Sequence, residues 1–308
     1  MTLRRRQAES TRLFAAGTLR ERICSTSAAA LRTQSLQPIE THADYLEDRG
    51  IRFLVRVISH LQHKPPHNVH HNPFLPYEQA LYVADATATH ACILNKYKVV
   101  DLHLLIVTRE FEHQESALTL ADFQALWRCL GEYESLGFYN SGMCSGASQT
   151  HKHLQVVPLP LTQNGEPHAT PMEPLFESAG APPGVIVELC EVAFAHSLVF
   201  WDPTHVSDFD CMARQSLSSY HQMLRRHRLG PAASPAAHLA GSYNLLVTSR
   251  WMLLVPRRRE CYQSISFNSL AFAGALLVQD PRHLDQLRAA GPFAALEWVA
   301  GVRRCRSD

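Results

Sequence analysis

Apolar positions along the chain fall into short runs divided by turn residues, and their spacing predicts the elements in order. Over Ile51–Ile58 the alternation sets Arg52 and Arg56 on one side, which predicts a strand with a charged outer face. Residues 80–84, 91–94 and 102–108 read as three further strands, with 95–98 as a turn or bulge. Thr119 can cap a helix, with Asp122 three residues on, and Leu120, Phe123, Trp127 and Leu130 recur at three and four residues as one buried stripe. Residues 137–140 and 153–157 give two more strands. An antiparallel sheet with a helix laid against it is an α+β arrangement.

Seven prolines in residues 158–183 argue against long regular structure there and predict a linker or crossing loop. Beyond it the style repeats. Residues 185–200 supply strand material, and Val206, Phe209, Ala213, Leu217, Tyr220 and Leu224 mark an amphipathic helix. After a Pro/Ala-rich break at 230–241, residues 243–257 form two apolar runs around a short basic turn, closed by Arg257. Residues 91–109, closed by Arg109, have the same form, so a distant internal duplication is expected in which only the first copy carries a histidine array.

Composition narrows the function classes. With Lys plus Arg at 29 and Asp plus Glu at 28, the formal charge of +1 argues against a protein that coats nucleic acid or an acidic membrane. The longest apolar run, 270–278, is far short of the roughly eighteen residues of a membrane span. Eight cysteines without a C-x-x-C pair fit free thiols in a reducing compartment, and the cytoplasm is the expected location. Residues 1–36 hold seven Arg, nine Ser or Thr and two acids, the flavour of an organelle transit peptide. The proline-free stretch 12–31 favours a helical arm instead.

The chemistry concentrates in residues 140–155, Asn-Ser-Gly-Met-Cys-Ser-Gly-Ala-Ser-Gln-Thr-His-Lys-His-Leu-Gln. Gly142 and Gly146 can take backbone angles closed to other residues, and backbone N–H groups there can point at an anion, with Ser145 and Ser148 as hydroxyl donors. On a strand, His151, His153 and Gln155 share one face and Lys152 and Leu154 the other. Zinc at three such positions is disfavoured, because Gln155 is a poor ligand and no cysteine or carboxylate accompanies it. A neutral imidazole attacking phosphorus, beside donors that carry developing phosphate charge, fits better.

The motif H-x-H-x-Q preceded by G-A-S-Q resembles the diadenosine tetraphosphate (Ap4A) phosphorylases, or ATP adenylyltransferases, of the histidine-triad superfamily. Phe53-Leu54-Val55-Arg56, Lys64-Pro65, Asn72-Pro73-Phe74, Leu94-Asn95-Lys96-Tyr97, Phe138-Tyr139-Asn140 and Asn268-Ser269-Leu270-Ala271-Phe272-Ala273-Gly274 fall in family order, so the resemblance spans about residues 12–300. H-x-H-x-Q by itself also occurs in galactose-1-phosphate uridylyltransferase relatives. The resemblance implies two histidine-triad-like halves in one chain, the second degenerate. Residues 1–49 would form the helical arm, 50–160 the catalytic half, 161–184 the proline-rich linker and 185–308 a second half that helps bind substrate.

It further implies reversible phosphorolysis of Ap4A to ATP and ADP through an adenylyl-histidine on His153, with Gln155 binding phosphate oxygens and His151 orienting the nucleophile. Lys64, Asn95 and Lys96, then Asn140 with Gly146, Ala147, Ser148 and Gln149, and finally Asn268, Ser269 and Leu270 match substrate-binding positions. Gln279 stands where relatives tend to carry lysine, a departure from the family pattern at a phosphate-contacting position. The implied partners are Ap4A, ATP, ADP and phosphate, with no nucleic acid, no membrane and a monomeric chain. No cofactor is implied beyond a divalent cation such as magnesium that can accompany the polyphosphate. A phosphorylase acting on a nucleoside diphosphate sugar and a non-catalytic dinucleotide sensor are the alternatives.

Three other features have plainer readings. His60, His63, His67, His70 and His71 surround prolines that discourage a zinc helix, so a solvated loop is expected. Arg257-Arg258-Arg259 reads as a solvated turn, or as a polyphosphate contact if it faces a cleft. Asp202, Asp208 and Asp210 read as partners of a helix start rather than as magnesium ligands.

Overall fold

The computed structural model describes residues 13–59, 72–162, 167–230 and 241–301. In chain order the elements are α1 (Leu19–Arg32), β1 (Thr41–Asp48), β2 (Ile51–Ile58), β3 (Tyr82–Asp85), β4 (His90–Leu94), β5 (Leu104–Thr108), α2 (Leu120–Leu130), β6 (Ser135–Ser141) and β7 (His153–Pro158). There follow α3 (Glu173–Glu177), β8 (Ser197–Phe200), α4 (Phe209–Arg226), β9 (Tyr243–Val247), β10 (Trp251–Pro256), β11 (Cys261–Tyr262), β12 (Ile265–Ser266), β13 (Ala275–Val278), α5 (Pro281–Ala290) and α6 (Pro292–Ala300).

Eight strands form one antiparallel sheet in the order β3-β4-β5-β7-β6-β9-β10-β8. Helices α1, α2 and α4 cover one face through Ile23, Phe123, Trp127, Met212 and Tyr220, which meet Leu154, Val156 and Leu245 of the sheet. The opposite face carries a second core of Leu136, Phe138, Leu246 and Leu253 packed against Phe53, Phe176, Phe272 and Phe293. Full burial of each such side chain contributes roughly 1.5–3 kcal/mol. The sheet is thus covered on both faces.

Helix α2 starts as its sequence dictates: the Thr119 side chain accepts from the Asp122 N–H, and the Asp122 carboxylate accepts from the Thr119 N–H. Asp208 caps α4 in the same way by accepting from Cys211 N–H.

From the β6·β9 seam the strand order outward is β6, β7, β5 on one side and β9, β10, β8 on the other. The units β5-α2-β6-β7 and β8-α4-β9-β10 are therefore related by an approximate two-fold axis through the seam. Tyr139-Asn140 and Tyr243-Asn244 repeat, and Asn140 lies directly across from Asn244. The duplication is real in topology, but residues 243–256 match β6–β7 rather than residues 91–109. Two apolar runs around a basic turn recur in any hairpin, whereas the helix preceding the hairpin defines the repeat. Continued two residues past Phe138↔Gln155, the β6·β7 register sets Asn140 opposite His153. Asn244 stands opposite Val255, so the second half holds valine where the first holds histidine.

Three expectations change. The arm is not helical throughout: Thr41–Asp48 is a strand paired antiparallel with β2. Only Leu46 of its eight residues is buried, so no alternating pattern marks it. Strand β2 pairs on its other side, in parallel, with β13, which joins the front of the chain to its far half. The proline-rich segment is packed rather than slung across solvent, since Met172, Glu173 and Phe176 are buried around the short helix α3. Of residues 185–200 only Ser197–Phe200 is a strand, with Val187 bridging to Leu198. Among the described residues no helix is long and apolar enough to cross a membrane.

Candidate active site

Strand β7 brings His153 and Gln155 to the face away from α2, as alternation predicts, while Lys152 and Leu154 point toward the helix. His151 lies just before the strand, in an isolated bridge with His113. Phe74 packs against both rings, 5.1 Å from that of His153 and 5.6 Å from that of His151.

Hydrogen-bond partners fix the protonation of each ring. His153 Nδ1 is 2.8 Å from the His151 carbonyl, which only accepts, so the proton sits on Nδ1 and the lone pair on Nε2. Burial drives the imidazole down to about 4, against the pull of that hydrogen bond, so His153 is neutral near pH 7. His151 Nδ1 accepts from the Asn72 amide at 2.9 Å, and its Nε2–H reaches the Thr108 carbonyl at 2.9 Å. Both nitrogens of His151 are therefore engaged, which makes it a brace for the carbonyl that holds His153.

His103, just before the neighbouring strand β5, completes the set. Its Nδ1 accepts from the Asn95 amide at 3.2 Å, and its Nε2–H donates to Gln155 Oε1 at 3.0 Å. Burial lowers its pKa to about 4 as well. With the Gln155 oxygen occupied, its NH2 group is the end left to donate to a ligand oxygen. Asn95 also accepts from Tyr97 N–H, and Lys96 donates to Glu78 at 2.8 Å. Asn95 thus connects through His103 to Gln155, while Lys96 sits at the rim in an ion pair.

The glycine-containing loop folds over the end of β6. Gly146 has φ +82°, and a Cβ there would stand 2.9 Å from the Phe267 carbonyl and 3.2 Å from Asn268 Cα. Glycine is therefore required both for the left-handed backbone and for the approach of residues 267–268. Ser145 is buried with its hydroxyl on the Gly142 carbonyl at 2.6 Å, so it holds the loop rather than serving as an outward donor. Ala147 and Gln149 are half-buried and Ser148 is exposed.

Asn140 gathers the second half onto this loop. Its Oδ1 accepts from Asn244 Nδ2 at 2.8 Å, Ser269 N–H at 3.0 Å and Ser269 Oγ–H at 2.6 Å, which leaves its amide NH2 as the donating end. Ser269 is fully buried and also donates to the Tyr139 carbonyl, so it is a strut. Asn268 accepts from Leu270 N–H to cap the turn that contains both. Gln279 is exposed at the end of β13, its N–H 3.4 Å from His283 Nδ1. Lys64 and the five histidines of 60–71 lie outside the described residues.

Arg257 departs from expectation. It is buried rather than solvated, donating to Asn244 Oδ1 and to the carbonyls of Phe267, Arg259 and Glu260. By the two-fold axis it occupies the place of Gln155, so the degenerate half has filled its own site with a guanidinium. Arg258 and Arg259 are exposed, Arg259 lying 4.2 Å over Trp298. Asp202 holds Thr204, Asp208 caps α4 and Asp210 accepts from Gln124, as partners of turns and a helix start.

Behind the face, Lys152 is fully buried and donates to Glu112, Asp122 and the Ala117 carbonyl. Gln114, which no periodicity marks, hydrogen-bonds the backbones of both Asn140 and His153. Sequence reasoning missed His103, Gln114 and Asn244, because each reaches the site from a separate strand or loop.

Comparisons with known proteins agree with one another. Residues 9–178 match the Ap4A phosphorylase N-terminal domain and residues 191–301 the ATP adenylyltransferase C-terminal domain. Diadenosine 5',5'''-P1,P4-tetraphosphate phosphorylase 2 of Saccharomyces cerevisiae is 30% identical over 70% of this chain and 71% of its own length. Protein APA1 of the same yeast is 30% identical over 61% of each chain. The crystal structure of yeast Ap4A phosphorylase Apa2 in complex with AMP superposes with a TM-score of 0.75 at 25% identity, covering 94% of this chain and 99% of that one. The same enzyme in complex with Ap4A gives a TM-score of 0.77 at 24% identity, covering 93% and 98%.

Proposed function

Because this chain belongs to the Ap4A phosphorylase family, we propose that His153 takes up the adenylyl group in the reaction the chain catalyses. That reaction is phosphorolysis of Ap4A to ATP and ADP, and the chain is a nucleotidyltransferase. The observation that carries the assignment is the hydrogen bond from His153 Nδ1 to the His151 carbonyl, which leaves an unprotonated Nε2 on a buried, neutral ring.

In the forward direction Nε2 attacks the α-phosphorus of one adenylyl group. The N–P bond forms as the P–O bond to the departing ATP breaks, and the bonding electrons leave with that oxygen. The Gln155 and Asn140 amide groups and the loop 146–149 supply donors for the charge on the phosphoryl oxygens. ATP leaves as an already ionised phosphate, so the step needs no general acid, and Gln155 suits a position where proton donation is not required. An oxygen of inorganic phosphate then attacks the adenylyl-histidine and yields ADP and the free imidazole. Lys64, Lys96, Asn268 and Leu270 are assigned to holding the nucleotide around this centre, and Gln279 to its outer edge. A divalent cation would enter with the polyphosphate as part of the substrate, since imidazoles and amides around His153 are a poor donor set for magnesium.

Product analysis tests this reading. ATP and ADP should appear from Ap4A only when phosphate is present. ATP and AMP without phosphate would make the chain a hydrolase and contradict the role given to Gln155.

The neutral ring also sets a pH dependence. A histidine depressed to about 4 stays unprotonated, hence nucleophilic, well below pH 6.5. The rate of adenylyl transfer to folded enzyme is therefore expected to change less than twofold between about pH 7.5 and 5.5, where an ordinary imidazole would lose about tenfold. Rapid-quench measurement of the first turnover checks it; a tenfold decline would show a normally titrating nucleophile. Stability moves with the same sign: unfolding releases a base that binds protons near 6.5, so stability contributed by neutral His153 and His103 falls as pH drops from 6.5 toward 4.

A further inference from the structure

Strands β6 and β7 pair from Ser135↔Pro158 to Phe138↔Gln155, and the pairing stops there although both strands run on, to Ser141 and back to His153. The sheet is otherwise intact at this point: β6 continues to pair with β9 as far as Ser141, and His153 still pairs with Val107 of β5. In the split stands the side-chain amide of Gln114. Its Nε2 donates to the Asn140 carbonyl at 2.8 Å and to the His153 carbonyl at 3.3 Å, while its Oε1 accepts from His153 N–H at 2.8 Å. Gln114 is itself buried and anchored, its N–H on the Thr150 carbonyl at 2.7 Å and its own carbonyl taking the Tyr139 hydroxyl.

A side-chain amide has thus replaced a rung of the ladder. Directly paired strands stand about 4.8 Å apart, and an amide that bridges both backbones holds them wider without leaving buried N–H or C=O groups unpaired. The two residues it spaces are Asn140, where the glycine-containing loop begins, and His153.

We propose that Gln114 is a positioning residue for adenylyl transfer, setting the separation between the phosphate loop and the nucleophile so that both converge on one phosphorus. This rests on the reaction assigned above to His153. Without the amide, the unpaired backbone groups of Asn140 and His153 are driven to pair with each other, the split closes, and the phosphorus no longer sits in line with Nε2. Errors of about 1 Å at a reacting centre are enough for a 100-fold loss.

The test is single-turnover labelling with Ap4A carrying a radioactive α-phosphorus, in wild type and in Gln114→Met, which keeps the length of the side chain and removes its hydrogen bonds. Wild type is measured first; if it forms no adenylyl-enzyme, the reaction assigned to His153 fails and this inference falls with it. With wild type active, Gln114→Met is expected to reach the same labelled fraction about 100-fold more slowly, with AMP affinity within about threefold of wild type. A merely structural role would lower the labelled fraction and the melting temperature but leave the rate per labelled chain unchanged, and that result overturns the proposal, as does a wild-type rate. If Gln114→Met does not accumulate folded, Gln114→Asn, one methylene short, carries the same comparison with an expected slowing of about tenfold; an unchanged rate there overturns the proposal equally.

Discussion

Replacing His153 with alanine is expected to lower Ap4A turnover on the order of 10⁴-fold or more while nucleotide binding and melting temperature stay close to wild type. The size of the effect follows from the absence of a substitute among the described residues. His151 has both ring nitrogens in hydrogen bonds, and so does His103, so neither offers a lone pair to phosphorus. Gln155 has only amide groups to offer. The fold should tolerate the change because among the described residues the ring makes one hydrogen bond, to the His151 carbonyl, and its packing partner Phe74 also rests on His151. Steady-state rates with AMP binding alongside decide it. Retention of more than about one per cent of wild-type turnover would mean that another group receives the adenylyl, or that water attacks directly.

The second large effect is on stability. Lys152→Met is expected to cost about 3–5 kcal/mol, the range for breaking a buried ion pair by removing one partner. Lys152 is fully buried, with Nζ 2.9 Å from Glu112, 2.9 Å from Asp122 and 3.1 Å from the Ala117 carbonyl. Asp122 is equally buried and also holds His90 Nε2 at 3.0 Å and the Thr119 cap. Burial alone would raise the Asp122 carboxyl, yet the hydrogen bond from His90 and the charge of Lys152 outweigh it and hold the group at about 2. A depressed carboxyl contributes stability that is complete above its ordinary value near 3.8 and is lost as pH falls toward 2. Methionine in place of lysine removes the lysine's part of that compensation and leaves a buried carboxylate at the start of α2 held by His90 and the Thr119 cap alone. Urea unfolding at neutral pH checks the magnitude. Lys152→Met combined with Asp122→Asn should recover much of the loss, and a single-variant cost below about 1 kcal/mol would contradict the buried pair's role. Lys152 precedes His153 by one residue, so loosening it also frees the end of β7.

What was legible in the sequence was local. The Thr119 capping box, the buried stripe of α2 and the alternating face of His153 and Gln155 each follow from neighbours within four residues, and the structure holds them as the spacing predicts. What was not legible depends on contacts far apart in the chain. His103 meets Gln155 across 52 positions and Gln114 meets His153 across 39, so no pattern in either segment marks them. Strand β1 was hidden because it buries Leu46 alone and takes its order from β2. Two apolar runs around a basic turn point to residues 91–109 as the repeat, whereas the strand order matches residues 243–256 to β6–β7, since hydrophobic runs carry no record of which strands lie next to one another. Arg257 reads as surface charge in a run of three arginines and becomes interior only because residues 259–267 wrap over it.

The same two-fold axis relates a half that carries the histidine array to one that does not. Asn140 and Asn244 meet on the axis, but valine stands where the first half has His153 and Arg257 where it has Gln155. A guanidinium joined to Asn244 and the Phe267 carbonyl then serves to present residues 268–270 to the active half.

The most direct test of the central claim is to incubate the enzyme with Ap4A in the absence of phosphate and map the modified residue by mass spectrometry under alkaline conditions, where phosphorus–nitrogen bonds to histidine survive. The expected result is one adenylyl group on His153, chased into ADP when phosphate is added and missing from His153→Ala. Adenylyl on another residue, or free AMP with no labelled enzyme, would contradict it.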